Sequence, residues 1–179
     1  MDKVYEPAED SYLLMGTIEN TVRKSPRKNL KALDVGTGSG ILAKRMKELL
    51  PKGKVFALDI DRNAAKAVKR DVQVVLSDLF SGIRGTFDLI VFNPPYLPAD
   101  MFPPELQTIG GKKGYETINR FIQELPKHLK KEGKCLFVIS SLTRPGEVEE
   151  CLKKHGLSWE ITDEKKLSFE TLYVYSVSK

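Results

Sequence analysis

From Lys31 onward, the chain alternates short apolar runs with longer segments of helical periodicity. Short apolar runs bounded by turn residues predict buried strands, whereas apolar residues spaced three and four apart predict amphipathic helices. Such an alternation is typical of parallel strands joined by right-handed helical crossovers, so an α/β fold is expected. The predicted strands are KALDVG, KVFALDI, VQVVLSD, FDLIVF and KCLFVISS, and the predicted helices are ILAKRMKELL, NAAKAVKR, ETINRFIQELPKHLKK and GEVEECLKKH.

Both ends of the chain depart from this alternation. Toward the C-terminus, LSWEIT and TLYVYSV follow one another without an obvious helix between them. They predict an antiparallel hairpin, which gives a mixed sheet of about seven strands. Toward the N-terminus, DSYLLMGTIENTVRK has helical spacing, and Asp10 or Ser11 is placed to cap that helix. The basic stretch RKSPRKNLK then leads to the first strand.

The size and composition of the chain exclude several classes of protein. With 179 residues, of which 41% are hydrophobic and 30% charged, a single domain over residues 1–179 is expected. No apolar run approaches the roughly 20 residues of a membrane span. The start, MDKVYEPAED, lacks the apolar core of a signal peptide, so a cytoplasmic protein is expected. The net charge of +5 permits contact with nucleic acid without demonstrating it, and the two cysteines have no spacing for zinc.

The run DVGTGSG, Asp34 to Gly40, follows the first predicted strand and opens the next helix. Glycines at such a place permit a tight turn and let backbone N–H groups approach a ligand closely. The second strand ends in ALDID, where Asp59 can accept hydrogen bonds from both ribose hydroxyls of a bound nucleoside. Together, the two segments predict a nucleotide or nucleoside site at the carboxyl ends of the strands.

A second polar segment, VFNPPYLP, comes directly after the apolar run DLIV. Proline cannot donate to a strand ladder, so the strand must end here in a stiff, extended exit. The Asn93 side-chain oxygen and the Pro94 carbonyl can accept both N–H bonds of a substrate amino group and so orient its nitrogen lone pair. Pro94 and Pro95 hold these acceptors rigid, and Tyr96 offers a flat face to a planar group.

The glycine loop resembles motif I of class I S-adenosylmethionine-dependent methyltransferases, because Asp34 leads a GxGxG run and not the GxGxxG of dinucleotide folds. The segment SDLF, Ser77 to Phe80, supplies the third acid of that pattern. The resemblance implies a three-layer Rossmann-like fold, S-adenosylmethionine as cofactor and S-adenosylhomocysteine as product. It also implies that Asp78 bonds the adenine amino group and that Leu79 packs near the ring.

Other segments resemble the HemK-like protein glutamine methyltransferases, specifically their short archaeal and eukaryotic branch. These are VYEPAEDSYLL, NPPY and GGKKG, and the match runs from Val4 to about Val177. The resemblance implies methylation of the GGQ-loop glutamine of a class I peptide chain release factor at its side-chain nitrogen. It implies catalysis by Asn93, Pro94 and Tyr96, and substrate binding by Asn93, Pro94, Pro95 and Tyr96.

The same resemblance implies that the N-terminal helix and connector, residues 1–30, lie over the cofactor pocket. Glu9 is left open between a contact with that pocket and a first-turn helix acid. The cofactor-binding residues implied by the two resemblances are Tyr5, Pro7, Asp10, Ser11, Asp34, Gly36, Thr37, Gly38, Gly40, Asp59, Ile60, Asp78, Leu79 and Asn93.

Members of this branch commonly require a small zinc-ribbon activating subunit. The third strand is expected at the sheet edge, where Val72 to Leu76 carry no charge or proline to prevent pairing with another chain. The subunit is expected to add a strand there; the alternative is a short edge strand covered by its own loops. The segment from Leu97 to Gly111 is expected to act as a mobile lid.

Three other functions remain open. The tetrapeptide NPPY also suits an N6-adenine or N2-guanine methyltransferase acting on a flipped base in RNA or DNA, and the basic connector favours this slightly. An NAD-dependent oxidoreductase is disfavoured by the GxGxG run. A scaffold without activity is disfavoured because the residues proposed for the chemistry are present.

Overall fold

The computed structural model of the protein describes residues 5–70, 72–101 and 108–179. Within these ranges, one sheet has seven strands and a separate ladder has two. The strands of the sheet are β1 (Lys31–Val35), β2 (Lys54–Asp59), β3 (Gln73–Leu76), β4 (Phe87–Phe92), β7 (Leu129–Ser140), β8 (Ser158–Lys166) and β9 (Thr171–Ser178). The ladder pairs β5 (Leu97–Pro98) with β6 (Ile109–Gly111), and the helices are α1 (Glu9–Lys24), α2 (Ile41–Leu49), α3 (Arg62–Val68), α4 (Glu116–His128) and α5 (Pro145–Lys154).

The strand order in the sheet is β3-β2-β1-β4-β7-β9-β8. Strands β3, β2, β1, β4 and β7 are parallel to one another, whereas β9 runs antiparallel to both β7 and β8. The predicted fold, a mostly parallel sheet with an antiparallel C-terminal hairpin, is therefore confirmed. The order reverses at β1, so a crevice opens between the loops that follow β1 and β4.

Helices cover both faces of the sheet, as β4 shows. All six residues of this strand are buried. Leu89 and Val91 belong to the apolar cluster that contains residues of α1 and α2, whereas Ile90 and Phe92 belong to the cluster that contains residues of α4 and α5. A strand buried on both sides reads as a continuous apolar run, which explains the sequence FDLIVF. The result is three layers, with the ends of the strands free to form a site.

The structure corrects one predicted helix boundary. The predicted helix ETINRFIQELPKHLKK is wrong at its end, because α4 stops at His128 and β7 begins at Leu129. Pro126 lies inside the last turn of α4, where it cannot donate a backbone hydrogen bond. Leu129 is fully buried and pairs with Phe87 of β4, so burial in the sheet favours the extended backbone there.

The predicted cap of the first helix is also wrong. The residue before α1 is Ala8, whose side chain makes no capping hydrogen bond. Asp10 and Ser11 lie inside the first turn and are buried. Their side chains form hydrogen bonds with Asn93 and Tyr96, which follow β4.

Strand β3 forms one edge of the sheet, as predicted. It is short, and its last residue, Leu76, is 50% exposed.

Of the predicted lid, residues 102–107 lie outside the described residues, as does Val4 of the N-terminal signature. In the part of the chain that the structure describes, no helix is both long and apolar enough to span a bilayer.

Candidate active site

The glycine loop joins the carboxyl end of β1 to the start of α2. Gly36, Gly38 and Gly40 have φ angles of 62°, 52° and 79°, a region that side chains other than glycine rarely adopt. Gly40 also needs to lack a side chain, because a Cβ there would lie 2.6 Å from a methyl group of Val68. The GxGxG run is therefore required by the backbone path, which turns tightly from the strand into the helix.

Asp34 holds this loop from beneath. Its Oδ2 accepts hydrogen bonds from the Thr37 hydroxyl at 2.7 Å and from the Ala43 backbone N–H at 3.1 Å. The side chain is 1% exposed, and its Oδ1 has no hydrogen-bond partner in the described residues. Burial raises the pKa of Asp34 to about 7, although the bonds from Thr37 and Ala43 oppose this rise. Asp34 therefore braces the loop rather than facing open space.

Asp59 links the glycine loop to the end of β2. Its Oδ2 accepts a hydrogen bond from the Gly38 N–H and its Oδ1 accepts one from the Asp61 N–H, both at 2.8 Å. Burial raises the pKa of this carboxyl, and the backbone donors oppose that effect. A carboxylate has about four acceptor positions, so Asp59 can still accept bonds from a ligand.

The segment Asn93 to Tyr96 leaves the sheet at the end of β4. Asn93 donates its Nδ2 hydrogen to the Ser11 hydroxyl oxygen at 3.2 Å. Its Oδ1 is buried and finds no hydrogen-bond partner among the residues that the structure describes. An unpaired buried acceptor is costly in a folded protein and is often retained for function.

The glycine-rich segment Gly110 to Gly114 packs directly on the backbone of the turn formed by Asn93 to Tyr96. A Cβ at Gly110 would lie 2.5 Å from the Pro95 carbonyl oxygen, and one at Gly114 would lie 2.6 Å from the Tyr96 carbonyl oxygen. The Tyr96 carbonyl also accepts a hydrogen bond from the Thr143 hydroxyl at 3.1 Å. These contacts explain the glycines of GGKKG, because the segment supports the turn from behind.

The start of α1 supports the same turn from the other side. The Tyr5 hydroxyl donates to both carboxylate oxygens of Asp10 at 2.8 Å, and the Tyr96 hydroxyl donates to its Oδ2 at 3.0 Å. Burial, followed by the charge of Asp10, raises the pKa of both tyrosines, so each hydroxyl remains a donor at neutral pH. Asp10 is 4% exposed. Because it accepts hydrogen bonds from Tyr5 and Tyr96, it links the N-terminal segment to the segment that follows β4.

A cavity of about 810 Å³ lies between these elements, at the carboxyl ends of β1, β2 and β4. Most of the predicted site residues line it. These are Tyr5, Asp10, Ser11, Gly36, Thr37, Gly38, Asp59, Ile60, Asn93, Pro94, Pro95 and Tyr96. A smaller cavity of about 510 Å³, beside Asp88, has none of the predicted site residues in its lining.

Five predicted residues do not line the cavity: Pro7, Asp34, Gly40, Asp78 and Leu79. Asp78 instead pairs with Arg120 of α4 at 2.7 Å. Glu9, which the sequence left open, pairs with Lys165 and stays exposed, as expected of a first-turn helix acid.

Sequence reasoning also missed several residues that line the cavity. They are Ser39, Ile41, Leu42, Asp61, Arg62, Ala64, Phe92, Leu97 and Thr108. Most are neighbours of residues that were predicted, so extending each motif by a few positions would have found them. Thr108 lies in the segment predicted as a lid, two residues before GGKKG; beside the paired strands β5 and β6, its backbone carbonyl accepts a hydrogen bond from the Tyr96 N–H at 3.1 Å.

The polar groups of the cavity fit a nucleoside-containing methyl donor beside an amino acceptor. Gly36 and Gly38 line the cavity without side chains, so their backbone is open to a ligand, and Asp59 lies next to Gly38. At the other end lie Asn93, whose Oδ1 has no donor among the described residues, and Pro94, whose backbone carbonyl is a further acceptor. S-adenosylmethionine at the loop and an –NH2 group at Asn93 would satisfy both ends.

Comparison with known proteins agrees with this arrangement. The family model described as "Methyltransferase small domain" matches residues 9–166. A Methanocaldococcus jannaschii protein named as a protein N5-glutamine methyltransferase is 38% identical, covering 96% of this chain and 90% of that protein. Human "Methyltransferase HEMK2" is 30% identical over 98% of this chain and 90% of its own length.

The similarity extends to solved structures. The E. cuniculi Mtq2-Trm112 complex, described as responsible for methylating the translation termination factor eRF1, contains a chain similar to this one with a TM-score of 0.81. The two are 29% identical, and the match covers 100% of this chain and 99% of that one. The family match, the fold and the cavity lead to one conclusion: the chain belongs to the methyltransferase small domain family, in its HemK-like branch, and is an S-adenosylmethionine-dependent methyltransferase.

Proposed function

We propose that this enzyme methylates the side-chain amide nitrogen of the GGQ-loop glutamine in a class I peptide chain release factor, giving N5-methylglutamine. The observation that carries the proposal is the buried, unpaired Oδ1 of Asn93, a residue that lines the cavity together with Pro94. The names of the similar proteins support glutamine as the acceptor and a termination factor as the substrate.

A primary amide suits this pair of acceptors. Its nitrogen is a poor nucleophile, because the lone pair is delocalised into the carbonyl group. Two hydrogen bonds, from the two N–H groups to Asn93 Oδ1 and the Pro94 carbonyl, hold the nitrogen in one orientation and direct its lone pair. The flat face of Tyr96 packs against the amide plane. When the nitrogen bonds to the methyl carbon, the bond from that carbon to the sulfonium sulfur would break and a neutral thioether would leave. The methylated nitrogen is acidic and can then lose one proton to water, so a strong general base is not needed.

Bound S-adenosylmethionine supplies an electrophilic methyl group on a sulfonium centre. The residues proposed to hold it are those of the glycine loop, with Asp59 and Ile60 at the ribose and Asp78 and Leu79 at the adenine. Asp59 lines the cavity already, whereas Asp78 would have to exchange its bond with Arg120 for one with the ligand. Pro7 is proposed to cover the cofactor from the N-terminal segment.

We further propose that a small activating subunit of the zinc-ribbon type pairs with the edge strand β3. The E. cuniculi Mtq2-Trm112 complex, in which a chain of the same fold is joined to a second protein, supports a partner subunit for this group of enzymes. Among the described strands β3 pairs only with β2, so its other edge offers backbone groups that a strand of another chain can use.

The test is a transfer assay with labelled methyl groups, run with and without the candidate subunit. The acceptors are a release factor, the same factor with its GGQ glutamine replaced by alanine, transfer RNA, ribosomal RNA and DNA. We expect label only in the unmodified release factor, and loss of the label with the Asn93→Ala enzyme. Label in nucleic acid alone would refute the proposal and establish the nucleobase alternative.

A further inference from the structure

The side chains of Asp10, Ser11 and Asn93 form a hydrogen-bonded chain with a fixed direction. The Ser11 hydroxyl lies 3.2 Å from Asp10 Oδ1 and 3.2 Å from Asn93 Nδ2. Asp10 receives four donors in total: the hydroxyls of Tyr5, Tyr96 and Ser11, and the Ser11 backbone N–H. All four of these hydrogen bonds are donated to Asp10, so its carboxylate serves here only as an acceptor.

The donor and the acceptor of each hydrogen bond in this series follow from counting protons. A hydroxyl has one proton, and a carboxylate only accepts, so the proton of Ser11 lies toward Asp10. The Ser11 oxygen then offers Asn93 only lone pairs, and the Asn93 atom that faces it must be the amide NH2. The Oδ1 of Asn93 therefore points to the other side, where it has no partner among the described residues.

We propose that Asp10 and Ser11 are positioning residues, which fix the amide of Asn93 so that its oxygen, and not its nitrogen, faces the acceptor substrate. The inference rests on the proposed function, in which that oxygen accepts a substrate N–H bond. It gives the first turn of α1 a role in the reaction, although this turn lies 82 residues before Asn93. An amide turned the other way would present donors to a substrate that is itself a donor, and the bond would be lost.

Asp10→Asn is the sharpest perturbation, because it keeps the shape and replaces an acceptor-only group with one that also donates. The new NH2 group can donate to Ser11, which reverses both bonds and turns the Asn93 amide around. We expect kcat to fall about tenfold or more, the loss expected when one hydrogen bond of ordinary strength is replaced by a mismatch. Ser11→Ala leaves the amide free to take either orientation, so a fall of about two- to tenfold is expected.

Two control variants separate positioning from general damage. Glu9→Gln removes a carboxylate from the same helical turn, but its side chain is exposed and paired with Lys165, so kcat should match the wild type. Ser11→Thr keeps the hydroxyl and should restore most of the activity that Ser11→Ala loses. Calorimetry with S-adenosylmethionine and thermal unfolding of each variant report cofactor affinity and folding separately.

A second readout does not require turnover. The side-chain NH2 signals of Asn93 in a ¹H–¹⁵N spectrum, assigned by their absence in Asn93→Ala, should shift in Ser11→Ala and Asp10→Asn but not in Glu9→Gln. If the wild type methylates no release factor, the proposed function fails, yet this spectrum still decides the orientation of the amide. Unchanged signals in both variants, or cofactor affinity that falls in parallel with kcat, would overturn the inference.

Discussion

Replacing Gly110 by alanine tests whether the segment after NPPY sets the position of the substrate acceptors. A Cβ at this position would lie 2.5 Å from the Pro95 carbonyl oxygen and 2.2 Å from the Gly114 carbonyl oxygen. Both are backbone atoms, so neither can rotate away as the end of a flexible side chain would. Ordinary contact begins at 3.4 Å, so the two segments must separate by about 1 Å.

The cost should appear in turnover more than in folding. Gly110 lies in β6, which belongs to the small ladder and not to the seven-stranded sheet. A displacement of about 1 Å at a positioned acceptor can reduce a rate by about 100-fold, because the nitrogen of the substrate no longer points along the reaction path. We therefore expect Gly110→Ala to lower kcat for methyl transfer by about 10- to 100-fold, and to raise the Kd for S-adenosylmethionine by less than about threefold.

Gly16→Ala is the matched control. This glycine lies in α1, and a Cβ there would meet no atom within 4 Å. Alanine should stabilise the helix by about 0.5–1 kcal/mol and leave kcat unchanged. The reasoning is refuted if Gly110→Ala turns over at the wild-type rate, since the turn would then tolerate the shift or lie away from the substrate.

Three further predictions concern charge and exposed contacts. Because the folded-state pKa of Asp34 is raised to about 7, the native state binds more protons than the unfolded chain from about pH 4 to 7. Its contribution to the free energy of unfolding should fall as pH rises, by at most about 1.4 kcal/mol per unit, and thermal unfolding of Asp34→Asn should lack this pH-dependent loss. Arg120→Gln frees the Asp78 carboxylate, and calorimetry should show about two- to fivefold tighter binding of S-adenosylmethionine; unchanged or weaker binding would place the adenine elsewhere. Leu76→Lys on the edge strand should change the free energy of unfolding by less than about 0.5 kcal/mol yet weaken binding of the small subunit, as measured by co-purification and titration; undiminished binding would exclude this edge.

The fold was predictable because its signals are local and repeated. The strand β4 reads as a buried parallel strand from FDLIVF alone, and the prolines that follow it fix where it ends. Where the prediction failed, packing outweighed local pattern. The residues LKK continue the helical spacing of polar and apolar residues in α4. Leu129 is nevertheless extended, because pairing with Phe87 buries it completely in the sheet.

The candidate site was predictable only in part, since its motifs indicate where the loops lie but not which side chains meet. Asp34 illustrates the limit: the sequence places it at the start of the loop, whereas burial turns it toward Thr37 and away from the cavity. Asp78 shows a second limit, because its partner, Arg120, lies on a helix 42 residues later. Neither contact has a periodic signature that a single sequence could display.

The start of α1 shows why such contacts matter for function. An acid in the first turn of a helix has two uses, because it can cap the backbone of its own helix or bind a group that comes from elsewhere. Asp10 lies next to the Tyr96 hydroxyl, 86 residues away, and the two donors from Tyr5 and Tyr96 compensate for burying its charge. A charge buried among donors on two distant segments holds those segments together only while all of its partners are present. The turn that presents Asn93 is therefore ordered by the N-terminal segment as well as by its own prolines, so shortening the chain before α1 should impair transfer without unfolding the sheet.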